Sequence, residues 1–520
     1  MMKSILGVHF KWFWLFFAIG AALTFAIGRY IEFHVLSNDY WNILYYGRRM
    51  TLSEPESLYN GFFPFGYPFL IGRMPFTYVL PLSYLLNALL TGLFTASVST
   101  LILSSGSIPA TLLALFSSIA APFIFQNANT LSPDIGAAAF TAFAVFLLWN
   151  PLSSNSQADA NDSDLRFALA GISLGLSFLW RTHAAASILG VLAGWFLLFG
   201  FRPYRPRVIL LGALAIVAGV QVFVNLVSGH GMLETAQDLN LYKFFYGVDW
   251  TYPPSPEEIA QFSLVKTVAE DPIRAFELYI PFFQYYISHI WAAGLAFLLS
   301  PKGRFARFSA FSLIFIVLYA IPISWSDSAR APVILHGIYL SSVAILLAVL
   351  MDLAQKYLGA KYWVQWAVFA LFIAMGSKIY YGWVAYDIGI VRAAHAERGI
   401  FTSIEYTLRA DGMTSPTEIF SDRYDFYTPN TMPYRSRQIG NWSAGWVWGF
   451  NDEFPPIPND SWEAFSAACR EQGVRYLVLG PNSHARGDIF QPIYNGDMEL
   501  DEMGLRFIAQ RGNLRLYVFE

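Results

Sequence analysis

Eleven apolar stretches, most about as long as a bilayer is thick, run through the first three quarters of this 520-residue sequence. A helix that crosses a membrane needs about 20 mostly apolar residues. The stretches cover residues 12–35, 77–103, 108–126, 134–150, 166–181, 184–200, 207–227, 276–299, 308–325, 331–351 and 363–385. Composition agrees: 55% of the residues are hydrophobic and 13% charged, whereas a soluble domain carries about 25% charged residues. Too little polar surface remains for a cytosolic enzyme, a disordered scaffold or a collagen-like fibre. A net charge of −3 excludes a basic nucleic-acid binder, so no nucleic-acid partner is expected. Cys469 is the single cysteine, which excludes an intrachain disulfide and a Cys-based zinc site. Walker, Rossmann and His-Glu-x-x-His patterns are absent.

The stretches 166–181 and 184–200 are short and share the interruption Trp180-Arg181-Thr182-His183, which favours a helical hairpin over one fused helix. Orientation follows from lysine and arginine in short loops. With a cytoplasmic N-terminus, the inner side receives Lys3, Lys11, Arg166, Arg202, Arg205, Arg207, Lys302, Arg304, Arg307, Lys356 and Lys361. The opposite short turns receive Arg181 and Arg330. The first stretch is too long for a cleavable signal peptide and reads as an anchor. An odd number of spans leaves the tail outside.

The predicted architecture is therefore an α-helical polytopic membrane protein with a small α/β C-terminal extracytoplasmic domain. The membrane domain covers 1–385, with outer loops 37–76 and 228–275, and the outer domain covers 386–520. Within loop 228–275, Glu257 and Glu258 read as first-turn residues of a helix opened by prolines. In the tail, Glu418–Ser421 and Val474–Leu479 predict strands. Ser461–Gln472 predicts an amphipathic helix capped by Ser461 or Asp460 and closed by Gly473. Leu505–Gln510 and Leu514–Phe519 predict a hairpin turning at Arg511-Gly512-Asn513.

Ionisable residues at a membrane boundary raise a functional question. Asp39 follows the first span. Asp134 opens the fourth, after Ser132-Pro133. Arg181 and His183 occupy a tight turn, and Arg330 precedes the tenth span. Taken singly, each has an ordinary role: a cap, a dipole partner, or an arginine reaching lipid phosphate. His336, deeper in the tenth span, reads as a satisfied core histidine. Jointly, Asp39, Asp134, Arg181 and Arg330 come from different helix ends and fall on one side of the bilayer. A carboxylate can serve as general base on a hydroxyl, and arginines can neutralise a leaving phosphate. An enzyme facing outward has neither ATP nor nucleotide sugars to rely on. It needs an activated donor anchored in the lipid, such as a polyprenyl-phosphate sugar.

These residues sit in a pattern that resembles the GT-C glycosyltransferases, in particular the protein O-mannosyltransferase and lipid A aminoarabinose transferase group. Asp39, Tyr45, Gly47 and the run Phe63-Pro64-Phe65-Gly66-Tyr67-Pro68-Phe69-Leu70 are similar to that group's first outer loop. Leu131-Ser132-Pro133-Asp134 resembles a second acidic position, and Gly171–Arg181 (GISLGLSFLWR) a further shared run. Arg330 before Pro332 and the tail EIFSDRYDFYTPNTMPYRSRQI are also similar. Three departures stand out: Tyr40 follows Asp39 where the mannosyltransferases have Asp-Glu, the aromatic run begins Phe-Pro, and there is no Asp-x-Asp signature.

The resemblance implies an inverting glycosyltransferase at the outer face of a plasma membrane. Sugar would pass from a polyprenyl-phosphate donor to a glycan, lipid or protein acceptor. Asp39 would be the general base. Asp134, Arg181, Arg330, Tyr40, Tyr67 and His183 would contact substrate, with the phosphate near Arg330 or, as second choice, Arg181. No cofactor is fixed by the resemblance, and a divalent metal stays open. A polytopic transporter and a non-catalytic membrane scaffold are the alternatives. The transporter is disfavoured because the sequence shows no pseudo-repeat and no paired interrupted helices.

Overall fold

The computed structural model describes residues 10–30, 38–59, 61–75, 78–104, 106–149, 160–202, 204–232, 238–246, 256–303, 305–325, 332–358, 366–367, 369–371, 373, 389, 396, 399–421, 437–438, 457–458, 461–481 and 489–520. The chain divides into two compact units. One comprises Met1–Tyr59, Phe63–Glu234 and Asp271–Val391; the other Asn60–Phe62, Thr235–Glu270 and Arg392–Glu520.

The first unit is helical: α1 (Phe10–Tyr30), α2 (Asn38–Arg49), α3 (Gly66–Gly72), α4 (Val79–Leu103), α5 (Ile108–Ala120), α6 (Pro122–Asn129), α7 (Asp134–Trp149), α8 (Ala160–Trp180), α9 (Ala184–Phe199) and α10 (Tyr204–Val227). After α11 (Asp238–Tyr246), α12 (Pro256–Gln261) and α13 (Leu264–Glu270), which belong to the second unit, it resumes with α14 (Pro272–Ile287), α15 (Ile290–Leu299), α16 (Ala306–Ile323) and α17 (Pro332–Leu358). Ten of the eleven expected spans coincide with these helices. The eleventh, 363–385, lies largely outside the described residues. Five helices are long and apolar enough to cross a membrane, or seven if the bent pairs α5–α6 and α14–α15 each make one span. The bends are 50° and 48°. Pro122, at the first of them, has no N–H to continue α5. The shorter apolar α7 and α9 occupy two further expected positions.

Small residues let these helices approach closely, the rule for helices packed in lipid. Between α1 and α4, an added Cβ on Gly20 would lie 2.8 Å from Thr95, and one on Gly92 2.7 Å from the Phe17 carbonyl. Helices α8 and α9 form the expected hairpin. Near the turn, Ser177 and Ser187 both meet the Thr141 hydroxyl of α7, at 2.9 and 3.3 Å. At the far end, Phe167 reaches Trp195 with ring centroids 6.3 Å apart. That far end carries Arg205 and Arg207, two of the basic residues expected on the inner side. Arg205 pairs with Asp164 at 2.7 Å, and Arg207 donates to the carbonyls of Phe199, the last residue of α9, and of Gly200 just beyond it.

The second unit contains a five-stranded mixed sheet in the order β2-β1-β3-β5-β4: β1 (Ile419–Ser421), β2 (Arg437–Gln438), β3 (Tyr476–Leu479), β4 (Leu505–Arg511) and β5 (Leu514–Phe519). β1 is parallel to β2 and β3, and β5 is antiparallel to β3 and β4. Strand alternation sends Phe420, Leu477, Leu479 and Leu505 into one apolar cluster with Phe465 and Cys469 of α18 (Trp462–Glu471). Ile419, Tyr476, Val478 and Leu516 enter another with Phe401, Ile404 and Leu408 of the helical residues 399–410. The Ser461 hydroxyl caps α18 by accepting from the Ala464 N–H at 3.2 Å. Gly473 and Gly512 carry the positive φ values, 73° and 59°, that end this helix and turn the hairpin.

Candidate active site at one end of the helical unit

The short helices of the first loop, α2 and α3, pack against each other at the end of the unit that carries the α8–α9 turn. Their contact depends on two glycines. A Cβ on Gly47 would collide with the Pro68 carbonyl, and one on Gly72 with the backbone of Gly47. Two arginines tie the pair across the loop: Arg48 donates to the Met74 carbonyl at 2.8 Å, and Arg73 to the Met50 carbonyl. Gly47→Ala is therefore expected to lower stability by about 1–3 kcal/mol, the usual cost of forcing atoms into a packed interior. Gly212→Ala, where nothing lies within 4 Å of the added methyl, should be neutral or mildly stabilising. Thermal melting of the purified protein in detergent checks both.

This loop pair sits on the ends of the long helices. Tyr40 of α2 is fully buried, with its hydroxyl 3.0 Å from the Ser83 hydroxyl at the start of α4. Gly66 of α3 lies against the Leu179 carbonyl at the end of α8. The Phe65 N–H donates to the Gln221 Oε1 of α10 at 2.7 Å. Tyr67 is also fully buried, with its ring 6.2 Å from that of Trp180. Burial pushes the Tyr67 hydroxyl pKa well above its usual value, and the proximity of Tyr40 and of the Asp134 charge acts in the same direction. Its oxygen has no hydrogen-bond partner among the described residues.

Beneath these tyrosines lies the pair the sequence singled out. Asp134, the first residue of α7, is 1% exposed. Arg181, just beyond α8, grips both of its oxygens: Nε donates to Oδ1 at 2.7 Å and Nη2 to Oδ2 at 3.0 Å. This is the two-pronged geometry in which arginine and carboxylate match best. The His183 Nε2 is 3.9 Å from the same Oδ1. The indole of Trp180 lies edge-on over Gly136, two residues into α7, where any side chain would displace it, and makes an edge contact with Phe140 at 5.1 Å. Its Nε1 is buried and has no partner among the described residues.

The structure thus gathers Tyr40, Tyr67, Asp134, Arg181 and His183 at one end of the unit. Asp39 is the second residue of α2, next to Tyr40; its side chain lies outside the described residues, as does all of Arg330. His336 is 5% exposed, in an aromatic group with Phe123, His289 and Tyr339. Among the described residues, no three His, Cys, Asp or Glu side chains stand close enough to hold a metal ion. Sequence reasoning did not single out Ser83, Gln221 or Trp180 as members of this site. Nothing local marks them, because their part comes from elements distant in the chain.

A helical unit of packed spans, whose first loop folds into two short helices beside a buried carboxylate–arginine pair, and a small α/β unit make up a fold that has solved counterparts. The chain is similar over nearly its whole length to ArnT from Cupriavidus metallidurans bound to undecaprenyl phosphate, with a TM-score of 0.58, 14% identity and 98% of each chain covered. The apo state of the same protein matches with a TM-score of 0.57, 12% identity, and 96% and 97% of the two chains covered. An Archaeoglobus fulgidus oligosaccharyltransferase is more distant, with a TM-score of 0.45 and 12% identity over 91% of this chain and 69% of its own. No family model matches the sequence, and no curated protein matches it by sequence.

Proposed function

We propose that this protein is a membrane glycosyltransferase that moves a sugar from a polyprenyl-phosphate donor to an acceptor at the extracytoplasmic face of the plasma membrane. One observation carries the reading: nearly end-to-end likeness to a structure holding undecaprenyl phosphate, in both directions along the chain. The first loop supports it. Its two helices hold Tyr40 and Tyr67 close together, and Tyr67 lies within electrostatic reach of Asp134 and Arg181.

In this reading the acceptor's hydroxyl or amine attacks the anomeric carbon on the side opposite the phosphate. Asp39 removes the acceptor's proton as the new glycosidic bond forms. The bond between the anomeric carbon and the phosphate oxygen breaks, its electron pair leaves with the lipid phosphate, and the configuration inverts. Alignment of the two substrates and neutralisation of the leaving phosphate supply the rate. Arg181 and Arg330 are the cations available for that phosphate, and His183 and the tyrosines line the approach.

The test is reconstitution of the purified protein with a set of polyprenyl-phosphate sugars and a membrane extract as acceptor. Release of free polyprenyl phosphate together with a newly glycosylated product is expected. Movement of an intact lipid or solute across the vesicle, with no bond cleaved, would replace this reading with transport.

A further inference from the structure

We propose that the end of the helical unit opposite the α8–α9 turn binds the headgroup of an anionic phospholipid, between the α9–α10 turn and the start of α16. This site lies away from the proposed sugar-transfer end and does not depend on it. Residues 200–207 (GFRPYRPR) and 300–307 (SPKGRFAR) carry the cations Arg202, Arg205, Arg207, Lys302, Arg304 and Arg307 and no carboxylate. The fold brings the two segments together at Phe199, the last residue of α9. Arg207 of α10 donates to the Phe199 carbonyl at 3.4 Å, and the Arg307 guanidinium of α16 stands 5.7 Å from the centre of the Phe199 ring. That ring also meets Trp149 at 5.3 Å, and Trp149 meets Phe308, the neighbour of Arg307, at 5.1 Å.

Part of this charge is used inside the protein. Arg207 is buried against the end of α9, and Arg205 pairs with Asp164. Arg202, Lys302 and Arg307 are exposed and have no carboxylate partner among the described residues. Aromatic rings hold two of them in place. The Arg202 guanidinium lies 5.7 Å from the centre of the Tyr204 ring, and its Nε donates to the Tyr204 hydroxyl at 3.2 Å. Arg307 rests on Phe199 in the same manner. A ring takes one face of a guanidinium and leaves the N–H groups around its edge to bind an anion. Side chains held beforehand also lose less freedom on binding. The apolar neighbours decide the kind of anion. Leu197, Phe201, Tyr204 and Val208 are exposed beside these cations, and Phe201 stacks on Phe196 with ring centroids 4.6 Å apart. Free phosphate or an acidic protein would match the cations alone. A phospholipid matches both halves, its phosphate meeting the arginines while its acyl chains cover the apolar side chains. Tyrosine beside cations is also the usual composition at the level of the headgroups.

Native mass spectrometry of the full-length protein in detergent, titrated with phosphatidylglycerol or with phosphatidylcholine, measures the affinity for each lipid. Wild type should hold phosphatidylglycerol more tightly. The double variant Arg202→Gln/Arg307→Gln should weaken phosphatidylglycerol binding about tenfold or more, the scale of two cations facing one anionic headgroup. Its phosphatidylcholine binding should not change, which also reports that the fold is intact. The control Lys11→Gln/Lys356→Gln removes the same charge from exposed lysines expected on the same membrane face and should keep wild-type affinity for both lipids. Equal losses of phosphatidylglycerol binding in the two variants would mean diffuse attraction to a positive face, with no built site, and would overturn the proposal. Equal loss for both lipids in Arg202→Gln/Arg307→Gln would mean a structural role only and overturn it as well. A wild type that does not distinguish the two lipids would do the same, and would leave the cations to a soluble acidic partner.

Discussion

Asp39→Asn is expected to fold as wild type does and to lose transfer by about 10²–10⁴-fold, the usual contribution of a positioned general base. Asparagine keeps the size and hydrogen-bonding shape of the side chain but cannot take a proton from the acceptor. Asp39 lies in the first turn of α2, where either residue is compatible with the helix start. The melting temperature in detergent and the affinity for the lipid donor should therefore hold while turnover collapses. The measurement is single-turnover transfer from a lipid-linked sugar donor, with donor binding recorded on the same sample. Near-normal turnover would remove Asp39 from the mechanism and leave the proton without an assigned acceptor.

Arg181→Gln should give the largest stability effect of any single change in the helical unit's polar sites. Asp134 is almost wholly buried, and both of its oxygens depend on this one side chain. Removing one partner of a buried ion pair costs about 3–5 kcal/mol, because the remaining charge has lost its compensation without regaining water. The converse change, Asp134→Asn, should cost less, since Arg181 is partly exposed and can reach solvent or lipid phosphate. The double variant Asp134→Asn/Arg181→Gln should recover much of the loss and give a favourable coupling energy in a double-mutant cycle. Thermal melting of the four proteins in one detergent reads this directly. If Arg181→Gln melts with wild type, the pair does not hold the end of α7 against the α8–α9 turn.

Legibility from the sequence varied with the range of the force involved. The spans were readable because twenty apolar residues in a row have one physical solution in lipid, a helix with its backbone bonds satisfied internally. The α8–α9 break was readable because Trp180-Arg181-Thr182-His183 places charge and polarity where an uninterrupted apolar span would not carry them. In the tail, Ser461, Gly473 and Gly512 marked a cap, a helix end and a turn through local backbone chemistry. The parallel pairing of β1 with β2 and β3 was not readable, because those strands meet across long stretches of chain. The compact units were also unforeseen in one respect: residues 235–270, read from the sequence as part of an outer loop of the membrane domain, group with the C-terminal unit.

The candidate site divides in the same way. Asp134 and Arg181 were visible as boundary charges, and each had a sufficient local explanation. Their bidentate union across 47 residues, with Trp180 laid over Gly136 beside it, is a tertiary fact. The sequence by itself determined that this chain lives in a membrane, where its helices run, and which ionisable residues were candidates for a shared boundary; hydrophobicity and charge are properties each segment carries alone. Only the folded structure decided which charges meet, which oxygens are consumed and which donors are left over. Those outcomes depend on distances between segments, and side-chain chemistry at a few ångströms depends on nothing else so strongly.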